Sequence, residues 1–207
     1  MSRVASSCTL AFVAIVLLEH VLVPRLHPAD HMISEYVNAG GAAGVAATIA
    51  LGCWGASFVA TAALAFRAKR RTPVYAWRAL AILLAVAGLG LLVAAACPTQ
   101  AVRGVVPHGV TPTPAGRLHD LGGGIGQIAI FGAAAVSAFL VADRRFRAAT
   151  IALIAIGIAL GPTLAVLDGG ARGLRQRALV AAASAWELGL IVTLSGPAPL
   201  RRGPPHR

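Results

Sequence analysis

Charge is scarce in this chain, and negative charge is scarcer still: 12% of its 207 residues are Asp, Glu, Lys or Arg, and only seven are acidic. Amphipathic rhythm is missing too. The apolar residues, 57% of the total, come in long runs, which excludes an ordinary soluble core and is the pattern of a membrane domain. Three cysteines, Cys8, Cys53 and Cys97, stand in separate segments with no CxxC between them. Neither a zinc cluster nor a disulfide framework is indicated, and small apolar packing accounts for them. The formal charge of +11 comes from short Lys/Arg clusters between apolar runs, with no basic stripe interleaved with aromatics. Nucleic acid is therefore not an expected partner, and the clusters read as topology signals in a lipid bilayer.

What is present is a series of six apolar spans, at residues 9–23, 42–66, 74–97, 118–142, 148–167 and 178–195. The expected fold is all-α, a six-helix transmembrane bundle over residues 1–196 followed by a basic tail at 197–207. The first span lacks an A-x-A cleavage pattern and ends in Glu19, His20, Pro24 and Arg25, so it is read as a retained helix whose last polar groups snorkel outward. With the N-terminus inside, Arg3, Arg67, Lys69, Arg70, Arg71, Arg78, Arg144, Arg145, Arg147, Arg201, Arg202 and Arg207 are cytoplasmic, twelve of the 18 Lys and Arg. The other six, Arg25, Arg103, Arg117, Arg172, Arg175 and Arg177, fall outside, which predicts both termini inside and a multi-pass protein of the cell membrane.

Two outer connections stand out. Residues 26–41 contain His27-Pro28-Ala29-Asp30-His31, predicted to open a short surface helix at Pro28 that stops at Gly40-Gly41. On such a helix His27 and His31 share a face, with Asp30 beside them. Residues 98–117 carry Pro98, Pro107, Pro112 and Pro114 with Gly104 and Gly109, an irregular loop able to act as a lid. Pro162 is expected to kink the fifth helix, which Asp168-Gly169-Gly170 ends.

The chain is organised around Gly116-Arg117-Leu118-His119-Asp120, followed by Gly122, Gly123, Gly124 and Gly126. An imidazole and a carboxylate stand at the mouth of a small-residue helix whose glycines let a neighbour approach. Polar groups gather at this face. Asp30, Glu35, Asp120, Asp168 and Glu19 are outer, as are His20, His27, His31, His108 and His119, while only Asp143 and His206 are cytoplasmic. His119, Asp120 and Asp30 are thus candidates for acid–base catalysis, and His27, His31 and His119 for a divalent metal; the competing reading is a set of ion pairs with Arg117, Arg172, Arg175 and Arg177. His119 is expected to meet Asp30, His31 or Ser34. Glu187, in the sixth span, lies about 14 Å deep, where a lone carboxylate costs on the order of 3 kcal/mol. It is a further catalytic candidate, expected to partner Arg78, Ser137, Thr163 or Ser184.

His31-Met32-Ile33-Ser34-Glu35, Cys97-Pro98-Thr99-Gln100, Gly116-Arg117-Leu118-His119-Asp120, Gly173-Leu174-Arg175-Gln176-Arg177 and Trp186 together resemble the DUF998 family of bacterial integral membrane proteins. The family's pattern of an aspartate and a serine in the first outer loop, a Phe-Pro-Thr-Asp-like turn and a Gly-x-x-His helix start falls on Asp30, Ser34, Thr99 and His119. That resemblance adds Ser34 to the candidate site, while Gln100 stands where the family has an acid. A looser similarity, to membrane hydrolases using a serine, an aspartate and three histidines, is carried by Ser34, Asp120 and the outer histidines. The paired late-helix histidines of those enzymes are missing. Two functions are expected from different classes: an enzyme acting on a lipid or other amphipathic substrate at the outer leaflet, with or without a metal, or a non-catalytic transport, sensing or assembly component.

Overall fold

The computed structural model describes residues 1–68, 74–166 and 171–196. In chain order these form α1 (Ser2–Leu22), a 3-10 helix (Ile33–Ala39), α2 (Gly41–Arg67), α3 (Val74–Ala96), α4 (Pro114–Leu140), α5 (Arg144–Val166) and α6 (Arg172–Ser195), with no strand among the described residues. Five of the described helices, α1, α2, α3, α4 and α6, are long and apolar enough to cross a membrane. In hydrocarbon every backbone N–H and C=O must be satisfied within the segment, which is why such runs are helical. The chain is an all-α, multi-pass integral membrane protein. Lys69, Arg70, Arg71, Asp168-Gly169-Gly170 and the 197–207 tail, with Arg201, Arg202, His206 and Arg207, lie outside the described residues.

Several helices begin earlier than the apolar runs predict, for local reasons. α4 starts at Pro114 because proline suits a first helical turn, and the Thr113 hydroxyl caps it by accepting the Gly116 N–H at 3.1 Å. His119 therefore sits in the second turn of α4 and is buried in the bundle. α6 starts at Arg172, so Arg175, Gln176 and Arg177 belong to the helix. α5 includes Arg144, Arg145 and Arg147 in its first turn and stays helical through position 162.

The helices form a ring in which each packs against its chain neighbours and α6 closes back onto α1 and α2. Small residues set the spacing, since helices in lipid gain little from apolar burial and much from close backbone approach. A Cβ on Gly55 of α2 would lie 2.8 Å from the Gly88 oxygen of α3, and one on Gly90 of α3 would lie 2.5 Å from the Gly122 oxygen of α4. An aromatic row crosses the ring: Phe12 stacks on Trp54 at 4.6 Å, Trp54 meets Phe58 at 5.7 Å, and Phe58 meets Trp186 at 6.5 Å.

At one end, the connections 23–40 and 97–113 dock on the start of α6. The expected helix at Pro28 is instead a turn, with His31 N–H donating to the His27 oxygen at 3.0 Å, and regular structure begins only at Ile33. Leu174 N–H reaches the Ala29 oxygen at 3.0 Å, and Arg177 Nη1 donates to the Pro28 and His31 oxygens at 2.7 and 2.6 Å. Gly173 is required here, because a Cβ would run into both of those carbonyl oxygens.

Candidate functional site

A cavity of about 230 Å³ lies within the docked-loop half of the bundle, and all six α-helices and the 3-10 helix contribute to its wall. Its polar groups are Ser34, His119, Gln127 and Gln176; the remainder is apolar, including Phe12, Leu51, Leu91, Phe131, Leu164 and Val180. On α4 the wall residues His119, Gly123, Gln127 and Phe131 recur every four positions, one ridge of a 3.6-residue helix. Gly122 and Gly126 form the adjoining ridge and pack on α3, whereas Gly123 and Gly124 have nothing within 4 Å of a Cβ position. The glycine run thus serves two faces. Close approach to a neighbour, expected of Gly122, Gly123 and Gly126 alike, is found at Gly122 and Gly126, and Gly123 opens on the cavity.

His119 is only 7% exposed, and its ring is pinned. Nδ1 stands 2.8 Å from the Ala94 oxygen and 2.8 Å from the Cys97 oxygen. Two carbonyls can only accept, so Nδ1 carries a proton, and in the neutral tautomer this selects it is Nε2 that has the free lone pair. Nε2 makes no hydrogen bond among the described residues, and neither does the Ser34 hydroxyl. The expected meeting of His119 with Asp30, His31 or Ser34 takes this form: His119 and Ser34 line the same cavity, and among the described residues no hydrogen bond joins His119 to any of the three. Gln176 Oε1 is occupied by the Ile33 N–H at 2.7 Å, and Gln127 Nε2 is buried without a partner.

The other candidates stand elsewhere. Asp120 follows His119 by one residue, about 100° around the helix, and is exposed. Asp30 Oδ1 faces the Ala171 N–H at 3.4 Å, at the start of α6. His27 is exposed, and His31 Nδ1 contacts Glu35 Oε2 at 2.7 Å. Among the described residues no group of three His, Cys, Asp or Glu side chains is placed to hold a metal ion, so His27, His31 and His119 do not converge. Of the arginines offered as ion-pair partners, Arg177 is tied to backbone oxygens, to the Tyr36 ring at 5.5 Å, and through Nε to His20 Nε2 at 2.9 Å. Glu19 is buried, where the sequence predicts snorkelling, because α6 covers that face of α1.

Glu187 forms a second polar centre, fully buried, away from the cavity wall. Its carboxyl oxygens lie 2.8 Å from Ser57 Oγ, 3.2 Å from Thr9 Oγ1 and 3.4 Å from Thr61 Oγ1, joining α6 to α1 and α2. The partners expected from sequence are not the ones found. Arg78 is exposed, Ser137 accepts the Trp186 indole N–H at 3.3 Å, Thr163 donates to the Leu160 oxygen, and Ser184 Oγ is buried without a hydrogen bond. Depth alone could not choose among hydroxyls, because the ring order of the helices decides which face α6.

The polar residue that sequence reasoning left out of the site is Glu35. Its carboxylate, 5% exposed, accepts the backbone N–H groups of Met32 at 3.1 Å, Arg103 at 2.9 Å and Gly104 at 2.6 Å. The two loop donors come from a tight turn closed by Val102 and Val105, in which Arg103 (φ 53°) and Gly104 (φ 78°) are both left-handed. This turn holds the second connection against the first, above the cavity. Beside it, Tyr36 donates to the Leu26 oxygen at 2.6 Å, and burial pushes its phenol above the usual value of 10.0 despite the opposing effect of Arg177. Gln100, where the family pattern has an acid, accepts the Thr113 N–H at 2.5 Å and so braces the start of α4.

No curated protein and no solved structure matches the chain. A family model does: residues 7–193 match the one described as a protein of unknown function, DUF998. Since that match takes in every helix and the whole cavity wall, the chain belongs to the DUF998 family.

Proposed function

We propose that this is a six-span protein of the cell membrane, with both termini cytoplasmic, that receives an amphipathic molecule in the cavity from the outer leaflet and acts on it with His119 as general base. The twelve-to-six distribution of Lys and Arg supports the orientation, and α5 supplies the sixth span. Reporter fusions after Arg71, Thr111, Arg147 and Arg207 are expected to read in, out, in and in, and a cytoplasmic reading at Thr111 overturns the topology.

The observation that carries the catalytic reading is the pinned imidazole. With Nδ1–H committed to two carbonyl oxygens, the neutral ring offers Nε2 as a proton acceptor inside a largely apolar chamber whose wall also carries the Ser34 hydroxyl. A hydroxyl or water placed there can pass its proton to Nε2, and the carbonyl oxygens stabilise the imidazolium that forms. The apolar residues below suit a hydrocarbon tail. One observation favours a non-catalytic carrier or sensor as the second reading: among the described residues no carboxylate lines the cavity, so neither Asp30 nor Asp120 assists His119.

The test incubates the purified protein in nanodiscs with a total membrane-lipid extract and follows lipids by mass spectrometry. A species turned over by the native protein and slowed 100-fold or more by His119→Gln, with the variant still folded, is the expected result, since a general base contributes about 10²–10⁴. Equal turnover by His119→Gln overturns catalysis by His119. An amphipath that copurifies unchanged and is lost in the variant establishes the second reading.

A further inference from the structure

The cavity wall is not closed on all sides. Gly124 of α4 is exposed and Gly161 of α5 is half-buried; both line the cavity, and neither has any atom within 4 Å of where a Cβ would stand. Just below, α4 and α5 are sealed, because the Phe131 ring lies directly on Gly157. The surface around the gap carries Leu121, Ile125, Ile128 and Ile158, exposed by 59, 45, 73 and 72%. In a bundle surrounded by bilayer, apolar side chains that exposed face hydrocarbon and not water.

Volume decides what can use such a gap. At about 230 Å³ the cavity is smaller than the roughly 300–1,000 Å³ typical of pockets that enclose a whole small ligand. A membrane lipid therefore cannot fit entirely inside, and the part that does not fit must remain in the membrane. Nε2 of His119, which bonds no described residue, and the buried, unpartnered Gln127 Nε2 call for a polar group within the cavity, whereas the gap is apolar. From these constraints we propose that the space between Gly124 and Gly161 is a lateral portal through which the acyl chain of a bilayer lipid passes, its polar group seated at His119, the near part of its chain against the apolar wall and Trp54, and the remainder left in the membrane. This rests on the reading that the cavity holds an amphipath, and it adds the substrate class, a bilayer-resident acyl lipid, and the route.

Trp54, which lines the cavity and is 2% exposed, reports on the route. The full chain carrying Trp77→Phe and Trp186→Phe is reconstituted into vesicles of a phosphatidylcholine brominated on its acyl chains, which quenches indole fluorescence on contact. Trp54 is expected to be quenched in the native background and at least twofold less in Gly124→Leu and Gly161→Leu, whose side chains enter open space and leave helix contacts intact. Absence of quenching in the native background, or equal quenching in both portal variants, overturns the proposal. Lipid turnover that persists in the leucine variants overturns the portal alone and leaves the amphipath reading standing, with entry from the loop end. Quenching that responds to the portal while no lipid is turned over upholds the portal and removes only the catalytic reading.

Discussion

The Glu35 carboxylate accepts the Gly104 backbone N–H at 2.6 Å across 69 positions of chain and, with the Arg103 N–H at 2.9 Å, ties the second connection to the first. Glu35 gathers three backbone donors and the His31 imidazole on two oxygens, so its removal leaves several part-buried donors without their partner. Glu35→Ala is expected to lower stability by about 2–3 kcal/mol, seen as an earlier thermal transition in detergent. Glu35→Gln, which keeps one acceptor oxygen, should lose less. Equal transitions for the alanine variant and the native chain would show that the turn is held some other way.

Tyr36 gives the structure an alkaline limit. Its phenol donates to the Leu26 oxygen at 2.6 Å, and ionisation would set a phenolate against that carbonyl. The folded value is raised above 10.0, so the unfolded chain loses this proton first, and the stabilising contribution is complete below that pH and declines as pH rises through the folded value. Thermal transitions of the native chain between about pH 9 and about pH 11 should fall more steeply than those of Tyr36→Phe, which starts lower for want of the hydrogen bond. Parallel slopes would mean the phenol is not linked to folding.

Two glycines two positions apart should behave oppositely. A Cβ at Gly122 would stand 2.8 Å from the Gly90 oxygen, whereas at Gly124 there is nothing within 4 Å. Gly122→Ala is expected to force α3 and α4 apart at about 1–3 kcal/mol, and Gly124→Ala to leave the thermal transition unchanged. The reverse order would contradict the assignment of one glycine to the seam and the other to the cavity.

Much of this architecture is legible before any coordinates. Apolar runs mark where α-helices form, because hydrocarbon admits few other backbones, and the gathering of His and acidic residues at one end of the bundle points to the end that holds the cavity. Helix starts are less legible. Pro114 and Arg172 look like loop residues by polarity, yet each opens a helix, and this shift of about a turn puts His119 in the second turn of α4 and not the first. The pattern His119, Gly123, Gln127, Phe131 is a readable ridge at spacing four, whereas Asp120 is attractive only as a sequence neighbour. Glu35 is hidden because its main partners are backbone N–H groups 68 and 69 residues away, which side-chain identity does not encode.

Glu187 provides the last prediction. The carboxyl group sits at 0% exposure among Thr9, Ser57 and Thr61, with no cationic side chain hydrogen-bonded to it among the described residues. Each hydroxyl also lies within hydrogen-bonding distance of a carbonyl oxygen of its own helix, Ala5 for Thr9, Trp54 for Ser57 and Ser57 for Thr61, so the cluster needs a residue that both donates and accepts. Glutamine keeps the size and that dual capacity, whereas leucine keeps the approximate volume and neither donates nor accepts. Glu187→Gln should therefore hold the thermal transition in detergent close to native, and Glu187→Leu should lose about 1–3 kcal/mol as α1, α2 and α6 part with their shared polar contact. If leucine is tolerated as well as glutamine, the hydroxyls are satisfied by their own helices and the carboxyl is not what joins these three helices. If glutamine folds normally but abolishes a function that the nanodisc assay reveals, the role of Glu187 extends to its acidic proton, which an amide cannot supply.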